Sequence, residues 1–161
     1  MWGISEGKKF EKDFVRQAEE DPHYLVYRCR DVQGYAGSVN ISDYIIFNGS
    51  YLVLAELKST KGKSVPFSRL NDKQMDMMLN VTANWTVPIY VFNFRGNINE
   101  TYFATTEQVA EYIENADRKS IPIDWLRENW EQVQQKLRQT RYDYYMDGVF
   151  LDIILMKNAE G

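Results

Sequence analysis

Asp43, Glu56 and Lys58 are two carboxylates and an ammonium carried by one stretch, SDYIIFNGSYLVLAELK, from Ser42 to Lys58. Two apolar runs, Tyr44 to Phe47 and Tyr51 to Leu57, flank an Asn48-Gly49 pair. Asn-Gly between strand-like runs signals a hairpin, because a type I′ turn needs positive φ at both central residues. With those two residues as the turn, Phe47 faces Ser50, Ile45 faces Leu52 and Asp43 faces Leu54. Strand side chains alternate between faces, so Asp43, Leu54, Glu56 and Lys58 project from one face. Asp43 and Glu56 become diagonal neighbours, roughly 7–8 Å apart between backbones, and their carboxylates can converge on one cation. Oxygen donors suit a hard ion such as Mg²⁺, and an ammonium beside it can orient a water or offset charge in a transition state. The alternative is a surface hairpin with charges near its ends.

Other chemistries are excluded by scarcity. The single histidine, His23, rules out multi-histidine metal sites and leaves little room for a histidine-activated nucleophile. It follows Pro22 and reads as a loop residue. No G-x-x-x-x-G-K-[ST] or G-x-G-x-x-G occurs, so no nucleotide-binding loop is indicated. The single cysteine, Cys29, gives no disulfide framework and reads as a small buried apolar residue. No apolar run approaches the roughly 20 residues that span a bilayer. The N-terminal MWGISEGKKF lacks the apolar core of a signal peptide, and the expected compartment is the cytoplasm. A net charge of −4 counts against a nucleic-acid partner. The objection is partial, since a metal site concentrates carboxylates that the cation neutralises while basic residues gather on another face.

The elements that must position these groups read as follows. Residues 5–20 form a helix capped by Ser5, with Phe10, Phe14 and Val15 as its apolar stripe. Glu11 follows Phe10. It is either a solvated helix carboxylate or one that leans over the hairpin site. Residues 24–29 read as a strand and 31–40 as a loop. The stretch 59–70 reads as a loop because of Gly62 and Pro66. It carries Lys61, Lys63 and Arg69, which are either solvated or in contact with a phosphate backbone. Residues 71–83 form a helix capped by Asn71, with its methionines in the core and Gln74 in a first turn that can return to the hairpin. Residues 87–94 are a buried strand, followed by Tyr102-Phe103-Ala104 and by a helix capped by Thr105 or Thr106. Trp125 to Gln139 reads as an amphipathic helix and Val149 to Met156 as a final strand. The expected fold is α/β: a mixed central sheet flanked by helices on both faces. One domain over 1–161, with a helix-strand extension from about residue 123, accounts for the length.

An Asp followed by Glu-X-Lys on the next strand resembles the PD-(D/E)XK nuclease superfamily, whose fold is restriction-endonuclease-like. Ser42 stands where that signature has proline. Further features resemble the RecU-type Holliday junction resolvases of Gram-positive bacteria and their phages. These are Gly7 and Glu11 on the first helix, Ser42-Asp43-Tyr44, Glu56-Leu57-Lys58-Ser59-Thr60, Pro66-Phe67, Gln74 followed by Met77-Met78, and Arg118-Lys119-Ser120-Ile121-Pro122.

The resemblance implies a Mg²⁺-dependent homodimeric endonuclease, with Mn²⁺ able to substitute, that nicks opposed strands of a four-way DNA junction symmetrically. For a phage-encoded chain it implies work in the bacterial host cytoplasm. It implies Asp43, Glu56 and the Leu57 carbonyl as metal ligands and Lys58 as the catalytic lysine. Glu11 and Gln74 would help place metal, water or phosphate. Arg118 and Lys119 would be DNA-backbone contacts or structural tail residues, and Ser42, Ser59, Lys61, Lys63 and Arg69 would be further DNA contacts. The sequence departs from the family in two places. The family's long basic stalk insertion before the Asp is replaced by the short stretch from Arg30 to Ser42, and the chain continues past Ser120-Ile121-Pro122. The short stretch favours an alternative, a restriction-like or repair enzyme cutting duplex or flap DNA. A further alternative is a catalytically silent DNA-binding protein of the same fold. The intact Asp43, Glu56 and Lys58 argue against it.

Overall fold

The computed structural model describes residues 5–30 and 38–160. The N-terminal residues 1–4, and residues 31–37 of the expected 31–40 loop, lie outside the described residues. Helix α1 (Glu6–Glu20) starts where Ser5 accepts a hydrogen bond from the Lys8 amide. Strands β1 (Leu25–Arg28), β2 (Tyr44–Phe47) and β3 (Leu52–Thr60) follow, then β4 (Ser64–Pro66), a 3-10 turn (Phe67–Arg69) and helix α2 (Asp72–Leu79). Strands β5 (Thr86–Phe94) and β6 (Glu100–Thr105) lead to helix α3 (Thr106–Asn115), whose start is closed by a reciprocal Thr105–Gln108 capping box. The remainder is β7 (Ser120–Pro122), α4 (Ile123–Asn129), β8 (Glu131–Gln132), β9 (Gln135–Leu137), β10 (Tyr142–Tyr144) and α5 (Met146–Glu160).

Among the described residues the main sheet has six strands in the order β1-β2-β3-β5-β6-β8. Only the β3–β5 pair is parallel, which requires the crossover through α2. The sheet is therefore mixed, and it separates two cores. On one face Tyr44, Ile46, Val53, Ala55, Leu57, Ile89 and Val91 pack against α1, α5 and β10. On the other face Tyr90, Phe92, Phe94, Tyr102 and Ala104 pack against α2, α3, α4 and the small β4–β7 sheet. Helices on both faces are what the alternation of elements predicts.

The hairpin is longer at its tip than Asn-Gly alone predicts. Phe47 pairs with Leu52, Ile45 with Leu54 and Tyr44 with Ala55, so the loop is Asn48 to Tyr51. The cause is the Asn48 side chain, whose Oδ1 accepts from the Ser50 amide at 3.0 Å and the Tyr51 amide at 2.7 Å. Only Gly49 then takes a positive φ, +92°. The register moves by two residues, an even number, so every side chain keeps its face.

Three other expectations are corrected. The 59–70 loop is ordered: β3 runs through Ser59 and Thr60, and Val65 pairs with Ile121 in the β4–β7 ladder. The amphipathic helix expected over 125–139 stops at Asn129, because Glu131 and Gln132 pair with the free edge of β6 and Val133 enters the core. The expected strand 149–156 is part of α5. Met146, Val149, Phe150 and Ile153, at helical spacing, are its buried face. Leu151 and Leu155 lie on the opposite, exposed side.

Candidate active site

β3 outruns β2. The ladder between them ends at Tyr44–Ala55, so Glu56 to Thr60 have β5 on one side and no β2 residue on the other. Asp43 stands at that fork. Its amide donates to the Ala55 carbonyl at 3.1 Å, and its Oδ2 accepts from the Leu57 amide at 2.8 Å. Its carboxylate thus replaces a strand carbonyl, and Asp43 and Glu56 are the next opposing positions after the last ladder pair. The corrected register brings them directly across from each other rather than diagonally.

Glu56 is 5% exposed. Its Oε1 lies 3.3 Å from Lys58 Nζ, and its Oε2 accepts from Gln74 Nε2 at 2.7 Å. Gln74 is held in turn by Asn71, the cap of α2, which accepts from the Gln74 amide at 2.9 Å. Gln74 Nε2 also reaches the Asn40 carbonyl at 3.1 Å. Burial, first, and the neighbouring Asp43 charge push the Glu56 carboxyl up to about 7, against the pull of Lys58 and Gln74. Two carboxylates that oppose each other's ionisation are relieved by a divalent cation between them. Their oxygen donors fit Mg²⁺ or Mn²⁺. Among the described residues no cluster of three or more His, Cys, Asp or Glu side chains forms a metal cage. A cation here would therefore take two carboxylates and complete its shell with backbone oxygen, water or phosphate.

The remaining expected residues are distributed around this centre. Glu11 is half-buried on α1 and within electrostatic range of Tyr44, the residue after Asp43. The Leu57 side chain is buried in the core against α1, and its amide serves Asp43. Ser42 is 1% exposed and donates to the Tyr44 carbonyl. Ser59 is also buried; its hydroxyl donates to Asn93 Oδ1 at 2.7 Å. Both serine hydroxyls are engaged inside the protein. Lys61, Lys63, Arg69, Arg118 and Lys119 are exposed. The β4–β7 sheet draws them from two distant segments to one place: the Phe67 amide donates to the Lys119 carbonyl and the Ile123 amide to the Lys63 carbonyl. Arg69 also donates to the Ser59 carbonyl at 2.7 Å.

Two groups beside the site are not evident from the sequence. Arg95, at the end of β5, donates to Ser59 Oγ at 2.7 Å and pairs with Glu6 at 2.6 Å. Only the parallel β3–β5 register, which no local motif signals, brings it there. Cys29 is half-buried rather than buried. Its amide donates to the Asp43 carbonyl, and its thiol lies beside Ser42, Asp43 and Glu56.

Residues 25–147 match the model of a family described as Recombination protein U. The chain is 30% identical over 175 residues to the SPbeta prophage-derived uncharacterized protein YotM of Bacillus subtilis (strain 168), a match covering 96% of this chain and 89% of that protein. It is 30% identical over 105 residues to the Holliday junction resolvase RecU of Lactococcus lactis subsp. lactis (strain IL1403). That match covers 63% of this chain and 48% of the relative, so the chain aligns with about half of the resolvase's length. In three dimensions it is similar to Hjc, a Holliday junction resolvase of Archaeoglobus fulgidus, with a TM-score of 0.56 over 78% of this chain and 95% of that one. At 12% identity this likeness shows the shared fold.

Proposed function

This chain belongs to the Recombination protein U family, and we propose that it is a divalent-metal-dependent endonuclease that resolves four-way DNA junctions by paired symmetric nicks. The observation that supports this most is the convergence of Asp43, Glu56, Lys58 and Gln74 at the open fork of β2 and β3. The names of the resolvase relatives point the same way. Mg²⁺ or Mn²⁺, when bound, supplies charge neutralisation at the scissile phosphate and a more acidic water. Asp43 and Glu56 would hold it, with the Leu57 carbonyl as a further donor. Gln74 fixes the angle of the Glu56 carboxylate. Lys58 releases Glu56 and turns its ammonium to the attacking water or the phosphate oxygens. Lys61, Lys63, Arg69, Arg118 and Lys119 contact the DNA backbone. A homodimer suits the substrate, because two-fold symmetry places two equivalent sites on two equivalent strands.

Among the described residues no helix is long and apolar enough to cross a membrane, and the proposed place of action is the bacterial cytoplasm. The test is a panel of a four-way junction, a flap and a linear duplex of matched sequence, each with Mg²⁺ and with EDTA. Paired nicks in the junction alone, lost with EDTA, are expected. Cutting of duplex or flap at the same rate would support the second reading, a repair or restriction-like nuclease, which the short stretch between Arg30 and Ser42 favours.

A further inference from the structure

Tyr90 stands directly across the parallel β3–β5 ladder from Glu56 and shares its sheet face. Its side chain is 0% exposed, and its ring stacks on Phe92 at a centroid distance of 6.0 Å. The Tyr90 hydroxyl is buried without a hydrogen-bond partner among the described residues. Buried phenol hydroxyls are normally partnered, because a desolvated polar group left alone is costly. The acidic groups that face it are Glu56 and Asp72, at the open end of α2. Burial keeps the phenol in its neutral, donating form.

Both oxygens of Glu56 are engaged, Oε1 by Lys58 and Oε2 by Gln74. With a cation at Oε1 and Lys58 engaged in the reaction, the carboxylate would keep its Gln74 contact, lose its second partner and reorient about Oε2. A replacement donor has to be neutral, so that it does not compete with the cation, and fixed, so that the new angle is kept.

We propose that Tyr90 is a positioning residue for the metal ligand: its hydroxyl, directly or through one enclosed water, hydrogen-bonds the Glu56 carboxylate once that carboxylate has turned to a divalent cation. The proposal rests on the reading that Asp43 and Glu56 hold such a cation. It assigns the orphaned hydroxyl a partner that exists in the loaded site. Groups that orient a metal ligand from behind typically change affinity by about 10- to 100-fold when removed.

The experiment is calorimetric titration of the full chain with Mn²⁺ in the absence of DNA, on wild type, Y90F and E56Q. Melting temperatures in EDTA are measured alongside. Y90F keeps the ring and its stacking on Phe92, so its melting temperature in EDTA is expected to match wild type or exceed it. Its Mn²⁺ affinity is expected to fall about tenfold. Affinity equal to wild type in Y90F, with binding lost in E56Q, would overturn the Tyr90 assignment and leave the metal site intact. Mn²⁺ binding to E56Q as tight as to wild type would remove the metal site itself, and the Tyr90 role with it.

Discussion

Glu56 is a buried carboxyl held against its own ionisation. Its carboxyl stands at about 7, chiefly because it is buried and secondly because Asp43 is ionised beside it. Its folded value lies above the ordinary 4.5, so between about pH 4.5 and 7 the native state holds a proton that the unfolded chain has released. That contribution to stability is present below about pH 4.5 and is lost as pH rises through about 7. The full difference corresponds to about 3 kcal/mol. Thermal melts in EDTA between pH 5 and 8 are expected to show wild type losing stability relative to Glu56→Gln, and saturating Mg²⁺ is expected to restore it. Parallel pH profiles for the two proteins would remove the assignment. Lys58→Ala is expected to lower the cleavage rate at least about 100-fold, with a melting temperature near that of wild type, since a single 3.3 Å contact with Glu56 is lost. At this scale the sequence was informative because the parts are local. Glu56 and Lys58 are two residues apart on one strand, and Gln74 lies in the first turn of a helix whose cap, Asn71, is visible in the sequence. Arg95 and Tyr90 were hidden because their place depends on the partner of β3 across the sheet.

Caps and turns at the element scale fix where these side chains stand. Asn71 accepts the Gln74 amide, so it both starts α2 and sets the root of the side chain that holds Glu56. Asn71→Ala is expected to cost about 1 kcal/mol in denaturant melts and also to weaken Mn²⁺ binding. A loss of stability with unchanged metal affinity would mean that Gln74 is placed by other contacts. The hairpin shows how a side chain decides a register. Asn48 closes an Asx turn and lengthens the loop, yet the alternation of faces survives because the shift is even. Residues 149–156 are helical although their apolar run has the length of a strand. Leu151 and Leu155 lie outside the buried face and fill out that run, which masks the helical spacing of Val149, Phe150 and Ile153. The expected helix likewise gives way after Asn129, where an edge of β6 offers pairing that no helix propensity reflects.

Across the whole molecule, the two cores hold the open fork of β2 and β3 from opposite faces. One pins Leu57 against α1 and the other surrounds Tyr90. The β4–β7 pairing adds a basic flank to a chain of net charge −4, so the acidity of the sequence as a whole says little about the face proposed to meet DNA. The outer edge of β1 has no strand partner among the described residues, and Leu25 and Tyr27 are exposed there. An open sheet edge with apolar side chains is suited to meeting a second copy. Sedimentation is expected to give twice the 19.0 kDa chain mass for wild type and a monomer for Tyr27→Lys. An unchanged dimer in that variant would move the contact elsewhere. Fold class was legible because alternating strands and helices permit few layer arrangements. The order of strands was not, since it rests on contacts between distant segments.

The most direct measurement compares wild type with Glu56→Gln on one synthetic four-way junction in Mg²⁺, following binding and cleavage together. Both proteins are predicted to bind the junction, and wild type to cut it by paired nicks. Glu56→Gln is predicted to lose at least about 1,000-fold in rate, as expected when a ligand of a metal that stabilises the transition state is removed. Cleavage by Glu56→Gln at the wild-type rate would contradict that role of Glu56.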